Sequence, residues 1–210
     1  MGGVMQPQGH VQVIFNTVDY HMNPQECLDA PRFQWVGEKK VQLEREVPAH
    51  IAQKLADMGH DVKVILPLYE GVGQQYREKM KFLFHWNCRL AWRTPYCGIF
   101  ALKRDGVTYY FVDNEYYFKR SGLYGHYDDA ERFAFFSRAV VEAPAHLDWH
   151  PDVIHANDWQ TALAPIYLLE ERTRVPQLYG TKSVFTIHNI EYQGRYGNEL
   201  LEDLFGLNSG

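Results

Sequence analysis

Two histidines, two asparagines and an aspartate stand where two short apolar runs end. Val153-Ile154 leads into His155, Asn157 and Asp158, and Val184-Phe185-Thr186-Ile187 leads into His188 and Asn189. A carboxylate can take a proton or face a developing positive charge, and a neutral imidazole can donate or accept a hydrogen bond at a reacting centre. Asp158 also suits a second role, since an aspartate just before a helix accepts hydrogen bonds from the first-turn amides. His188 likewise reads either as a structural hydrogen-bonder or as a group of a reactive site. His155, Asp158 and His188 are too few to argue a metal centre.

The elements around these residues decide where they point. Residues 159–169 have a helical pattern between the two apolar runs, giving a strand–helix–strand unit. Its polar residues fall at the carboxyl ends of the strands, the edge where ligands bind in open α/β sheets. Upstream, residues 62–66 are a nearly continuous apolar strand of the kind buried in a parallel sheet, stopped by Pro67. Residues 81–86 form a strand, and residues 98–102 and 107–112 form a hairpin turned by Asp105-Gly106. Residues 113–126 are a polar and aromatic loop that Asp113 and Asn114 cap. Asp128 or Asp129 caps a helix with an apolar face of Phe133, Phe136, Val140 and Val141, limited by Pro144. Asn198 caps a last short helix ending near Phe205.

The first part of the chain reads differently. Residues 11–18 form a strand, a helix starts at Asn23-Pro24 and ends at Pro31, and residues 40–44 form a short strand. Pro48 opens a helix with an apolar stripe of Ile51, Leu55 and Met58, closed by Gly59. Strands alternating with helices predict an α/β doubly wound sheet.

Composition excludes several classes. The 210 residues fit one domain, or one domain and an appendage. No apolar run approaches the roughly 18 residues of a membrane span, and no signal peptide is visible. The net charge of −5 comes from interspersed acids and bases, which argues against a nucleic-acid partner. Cys27, Cys88 and Cys97 lack C-x-x-C spacing and fit reduced thiols in a cytoplasm.

The strings HANDWQTALAP and FTIHNIEYQGRYG resemble the N-terminal catalytic domain of bacterial glycogen synthases and plant starch synthases, the ADP-glucose type. The resemblance runs back through KVILPLY, YREKMKF, YCGIFALKRDGVTYYFVDNEYYFKR and YDDAERFAFFSRAV, covering about residues 61–210. It implies a Rossmann-like parallel-sheet half of a GT-B glycosyltransferase. Such an enzyme transfers glucose from ADP-glucose to the non-reducing end of an α-1,4-glucan, with retention and without a metal or other cofactor. By the same resemblance Asp158 faces the cleft near the acceptor sugar and His188 contacts the donor glucose and the transferring centre. Tyr124, or in the alternative register Tyr127, lies near the active site. His155 and Asn157 belong to the HANDWQ string, and Asn189, Tyr192, Gln193 and Gly194 to a loop over the cleft. Gly194 also reads as a turn position with an unusual backbone angle.

The chain departs from that pattern in two places. MGGVMQPQGHVQVIFNTVDYHMNPQECLDAPRFQW, within residues 1–50, resembles the C-terminal part of a γ-glutamyltranspeptidase small subunit. The expected organisation is therefore residues 1–50 of that type and residues 51–210 as a partial synthase domain. The synthase family's lysine–small–Gly–Gly–Leu phosphate loop has no counterpart string, and its C-terminal domain is absent. Nor does a nucleophilic threonine precede the transpeptidase-like segment. The expectation is a synthase-type fragment that keeps the acceptor side of a cleft and is inactive alone. A γ-glutamyl transferase or hydrolase remnant and a non-catalytic glucan-binding chimera are the alternatives. Residues 11–18 are apolar and long enough to replace the synthase family's first strand.

Overall fold

The computed structural model describes residues 57–188, 191 and 193–207, together with Val18, 33–37 and 40–43. The chain divides into two compact units, Met1–Val62 and Lys63–Gly210.

In the first unit, β1 (Phe33–Gly37) pairs antiparallel with β2 (Lys40–Leu43), Phe33 opposite Leu43 and Trp35 opposite Val41. The expected helix at residues 23–31 lies outside the described residues, as do residues 11–17 and 48–56 of two further expected elements. Val18 is helical and exposed, unlike the end of a strand. Gly59 has φ +91°, the left-handed turn that glycine takes freely and that suits the C-terminal cap expected there.

The second unit carries the candidate chemistry. β3 (Lys63–Pro67), β4 (Lys81–Asn87), β5 (Tyr96–Arg104) and β6 (Val107–Asp113) form one sheet in the order β3-β6-β5-β4. β3 and β6 are parallel, with Ile65 opposite Tyr110. β3 ends at Pro67, as expected, with the proline itself its last residue and the following Leu68 amide donating to the Val112 carbonyl. A proline is compatible with a strand where its missing N–H is not needed for the ladder. β4, β5 and β6 run antiparallel. The hairpin turn at Asp105-Gly106 has φ of +50° and +79°, the two left-handed residues of the primed turn favoured between tight antiparallel strands. The sheet is thus parallel on one side and a meander on the other, a common mixture in large α/β folds. A second sheet pairs β7 (Val153–Asn157) with β8 (Lys182–Thr186), parallel, Ile154 opposite Ser183 and Asn157 opposite Thr186.

One helix serves both sheets. α1 (Gln74–Arg77) and α2 (Glu115–Phe118) are short, whereas α3 (Asp129–Leu147) runs 19 residues. Phe135, Phe136 and Ala139 of α3 pack in a cluster with Ile99, Val112 and Phe118. Two residues on, Val141 packs with Ile154, Ala156, Tyr167 and Leu178 around the second sheet and α4 (Ala164–Glu171), while Val140 touches both clusters. Pro144 sits inside α3 rather than ending it. A proline removes one amide bond and crowds the preceding turn, but Val141, Ala143 and Pro144 are buried, and that packing carries the helix three residues further. It ends at Asp148, left-handed at φ +47°, with the Trp149 amide donating to the Pro144 carbonyl at 3.0 Å.

Capping also differs from expectation. Asn114 caps not a loop but a short helix within the expected loop, α2, accepting from the Tyr117 amide at 3.1 Å and donating to the Tyr96 carbonyl at 2.7 Å. Neither Asp128 nor Asp129 caps α3, because both carboxylates are taken by arginines. The expected 159–169 helix is broken into a 3-10 turn, Trp159–Thr161, and α4, with Pro165 in the first turn of α4. α5 (Leu200–Asp203) follows Glu199, and its N-terminus has no side-chain cap. Among the described residues, no helix is long and apolar enough to cross a membrane.

Candidate active site

β7 and β8 end side by side because they are parallel and in register, so the residues that follow them share one edge. The structure brings His155, Asn157, Asp158 and His188 together there. Asp158 leaves β7 with φ +57° and ψ 176°, a region that side-chain-bearing residues seldom enter and that costs about 1–3 kcal/mol. The turn is fixed on both sides. The Asp158 amide donates to the Thr186 carbonyl at 2.9 Å, and the Asp158 carbonyl accepts from the Thr161 amide at 3.0 Å. The carboxylate does not cap the following turn: its Oδ1 accepts instead from the backbone amide of His188, at 2.7 Å. The capping role is therefore overturned, because a partner 30 residues away across the sheet edge takes that oxygen.

The two imidazoles are oriented by neighbours. His188 Nε2 lies 3.0 Å from Asn157 Oδ1, a contact in which the ring nitrogen must donate. His155 Nε2 lies 2.7 Å from the Thr186 hydroxyl, and the Asn157 amide group donates to the His155 carbonyl at 3.3 Å. Thr186 went unnoticed in the sequence, although it immediately precedes the Ile187-His188 pair; its place opposite Asn157 comes from strand register. His155, Asn157 and His188 are exposed, so this edge is open to a solute.

Trp159 joins two more of the expected residues to the edge. Tyr124 meets its ring edge-on at 6.5 Å, Phe133 of α3 does so at 5.0 Å, and Tyr196 tilts against it at 6.4 Å. Gly194, at φ +55°, lies so close that a Cβ there would collide with the Trp159 ring at Cε3. Tyr127 points elsewhere: it is 90% exposed and shares a hydrogen bond with Tyr116. Of the two alternatives, then, Tyr124 is the tyrosine at the strand-end edge. Gln193 is held by Arg195, accepting at 3.0 and 2.9 Å. Asn189 and Tyr192 lie outside the described residues. Trp159 was the second residue missed, hidden because a tryptophan after Asn-Asp reads as the start of a helix.

Electrostatically the surroundings are mild. Burial pushes the Tyr69 hydroxyl up to about 12, opposed by Arg132 and reinforced by Asp129. Burial and then Asp129 raise the Tyr196 hydroxyl. Both tyrosines therefore stay neutral hydrogen-bonding groups at ordinary pH. Among the described residues, no group of three or more His, Cys, Asp or Glu side chains could hold a metal ion.

Parallel strands with polar residues at their carboxyl ends are the arrangement of an open α/β sheet with a ligand edge, the layout shared by the Rossmann-like halves of GT-B glycosyltransferases. The chain belongs to the family described as the starch synthase catalytic domain, whose model matches residues 46–210. A γ-glutamyltranspeptidase model also matches residues 1–80. Glycogen synthase from Clostridium botulinum (strain Eklund 17B / Type B) is 49% identical over 162 residues, 77% of this chain and 34% of that relative. Glycogen synthase from Lactobacillus acidophilus is 46% identical over 163 residues, covering 78% and 34%. The solved catalytic domain of starch synthase IV from Arabidopsis thaliana, bound to ADP and acarbose, superposes with a TM-score of 0.62 at 29% identity, over 70% of this chain and 30% of that one. The chain spans about a third of the length of the curated relatives it matches.

Proposed function

We propose that residues 51–210 form the acceptor-side wall of the cleft of an ADP-glucose-dependent glycogen synthase, a transferase adding glucose to the non-reducing end of an α-1,4-glucan with retention. The observation that carries this is the Asp158–His188 contact at the shared end of β7 and β8, 2.7 Å from carboxylate to amide. Asp158 thereby sets the backbone of the residue assigned to the transferring centre. His188, held by Asn157, presents its ring and a strand-end carbonyl toward developing positive charge on the donor sugar. Tyr124 and His155 line the path of the acceptor, and Asn189, Tyr192, Gln193 and Gly194 supply the loop over it. No cofactor or metal takes part. The ADP-glucose phosphates are held by the remainder of a chain of the relatives' length, including the C-terminal GT-B domain. The buried free thiols of Cys88 and Cys97 support a cytoplasmic setting.

Calorimetric titration of maltoheptaose into the 210-residue chain tests this. Saturable binding is expected, weakened about tenfold in Asp158→Ala and in Tyr124→Ala, the worth of a well-made polar contact. ADP-glucose turnover on glycogen is expected to be absent for this polypeptide alone. A folded chain that ignores maltoheptaose would remove the reading. The transpeptidase match over residues 1–80 supports a second reading, a γ-glutamyl transferase or hydrolase remnant. Release of p-nitroaniline from its γ-glutamyl derivative would favour that one. Glucan binding that survives every substitution at the β7–β8 edge would favour a non-catalytic glucan-binding chimera.

A further inference from the structure

The segment that carries Tyr124 is clamped at its base. Arg120 grips Asp128 with both terminal nitrogens, at 2.6 and 2.8 Å, and its Nε donates to the Tyr116 carbonyl at 2.7 Å. One residue on, Asp129 divides its carboxylate between two partners. Oδ1 accepts from Arg132 Nη1 at 3.0 Å, and Oδ2 accepts from the backbone amide of Gly125 at 2.6 Å.

Arg132 is the unusual member. It is fully buried, with its guanidinium over the rings of Phe133, Phe118 and Tyr69 at 5.0, 5.5 and 6.0 Å. Its Nε and Nη2 find no hydrogen-bond partner among the described residues. A buried guanidinium satisfied only in part is a poor way to stabilise a core, and an apolar side chain of similar volume does better. What an apolar residue would not do is hold Asp129 in place. Asp129 in turn fixes the Gly125 amide, one residue from Tyr124. Gly122 and Gly125 both stand at positive φ, +80° and +95°, a region open to glycine without steric cost, so the contact from Asp129 to the Gly125 amide helps select this path of the segment. The neighbouring Phe133 simultaneously packs on Trp159, the ring that Tyr124 meets.

We propose that Arg132 is a positioning residue for the acceptor side of the cleft, acting through Asp129 and the Gly125 amide to fix Tyr124 against Trp159. This rests on the reading of Tyr124 as a glucan contact. Two measurements on the full 210-residue chain separate the parts: amide hydrogen exchange by NMR and maltoheptaose titration. In Arg132→Met and in Asp129→Asn, the Gly125 amide is expected to exchange at least about tenfold faster, as loss of a charge-assisted hydrogen bond requires. The Ile99 and Val112 amides keep their protection. Maltoheptaose binding falls by about the factor seen in Tyr124→Ala, adding Tyr124→Ala to Arg132→Met costs little more, and Arg132→Lys restores part of the binding. Unchanged Gly125 exchange in both variants overturns the proposal. So does loss of protection spread evenly over the core in Arg132→Met, Arg132→Lys and Asp129→Asn, which marks a merely structural role. If Gly125 responds as expected but Tyr124→Ala binds maltoheptaose like the parent chain, the hold on the segment stands and the glucan reading of Tyr124 falls.

Discussion

Gly194 shows how tightly single residues are constrained at the edge. It combines a positive φ with a Cβ position that would collide with the Trp159 ring, and Phe133 and Tyr196 pack against that ring. Gly194→Ala is therefore expected to cost about 1–3 kcal/mol of stability, the usual range for forced overpacking. Chemical denaturation measures it, and an altered near-ultraviolet circular dichroism would report the displaced tryptophan. An alanine variant as stable as the parent chain would contradict the close approach. The types of residue at this edge were legible in the sequence, since HAND and HN each follow an apolar run and strands deliver their ends to one side. The direction of the Asp158 carboxylate was not. Capping is decided by neighbours in sequence, whereas the amide it accepts belongs to His188 on the adjacent strand. The choice between Tyr124 and Tyr127 was equally hidden, because it turns on the glycine-hinged path of residues 120–129.

Among the elements, the 120–128 segment makes a pH-dependent contribution whose sign follows from its ion pair. Burial alone would raise the Asp128 carboxyl, but the Arg120 guanidinium bonded to it outweighs this and holds it below the usual carboxylate range. A folded-state value below the unfolded one, about 3.9, means the stabilisation is fully present above that pH. It fades as pH falls from there through the folded value. Asp128→Asn is expected to lower stability by about 1.5–3 kcal/mol at pH 7, the worth of hydrogen bonds to a charged group. The gap from the parent chain should narrow below about pH 4. Urea titrations at pH 7 and in acid give both numbers, and a gap that persists unchanged in acid would argue against the pair as its source. Elements themselves were partly legible. The hairpin at Asp105-Gly106 announces itself because a short-range turn sets it, and the β4, β7 and β8 segments because their apolar runs are bounded by polar residues. Pro144 misled, since the rule that proline ends a helix ignores what buried neighbours contribute. The break after Thr161 had a local sign in Pro165, which suits the first turn of a new helix better than the interior of a continuing one.

In the second unit one helix covers two sheets that, among the described residues, share no hydrogen-bonded strand pair. Neither the split nor the common cover can be read from composition or periodicity, because both depend on which distant strands pair. What could be read was that Val140 and Val141 lie on the apolar stripe of α3. Their position at the boundary between the clusters lets one helix meet both, and Val141 reaches the second cluster before Pro144.

That division makes the unit unequal in durability. The β3-β6-β5-β4 sheet has four strands and the larger cluster, whereas the β7–β8 pair has two, with Val153, Val184 and Phe185 each more than 40% exposed. Small sheets with few buried contacts open before the rest of a protein. Amides of β7 and β8 are thus expected to exchange with solvent at a smaller opening free energy than those of β5 and β6, and equal protection across both sheets would refute it. The candidate chemistry rests on the portion that opens first. A ligand seated at its edge would bind the closed form only, and would slow that opening in proportion to its own concentration over its dissociation constant. The edge would then be assembled partly by what it holds.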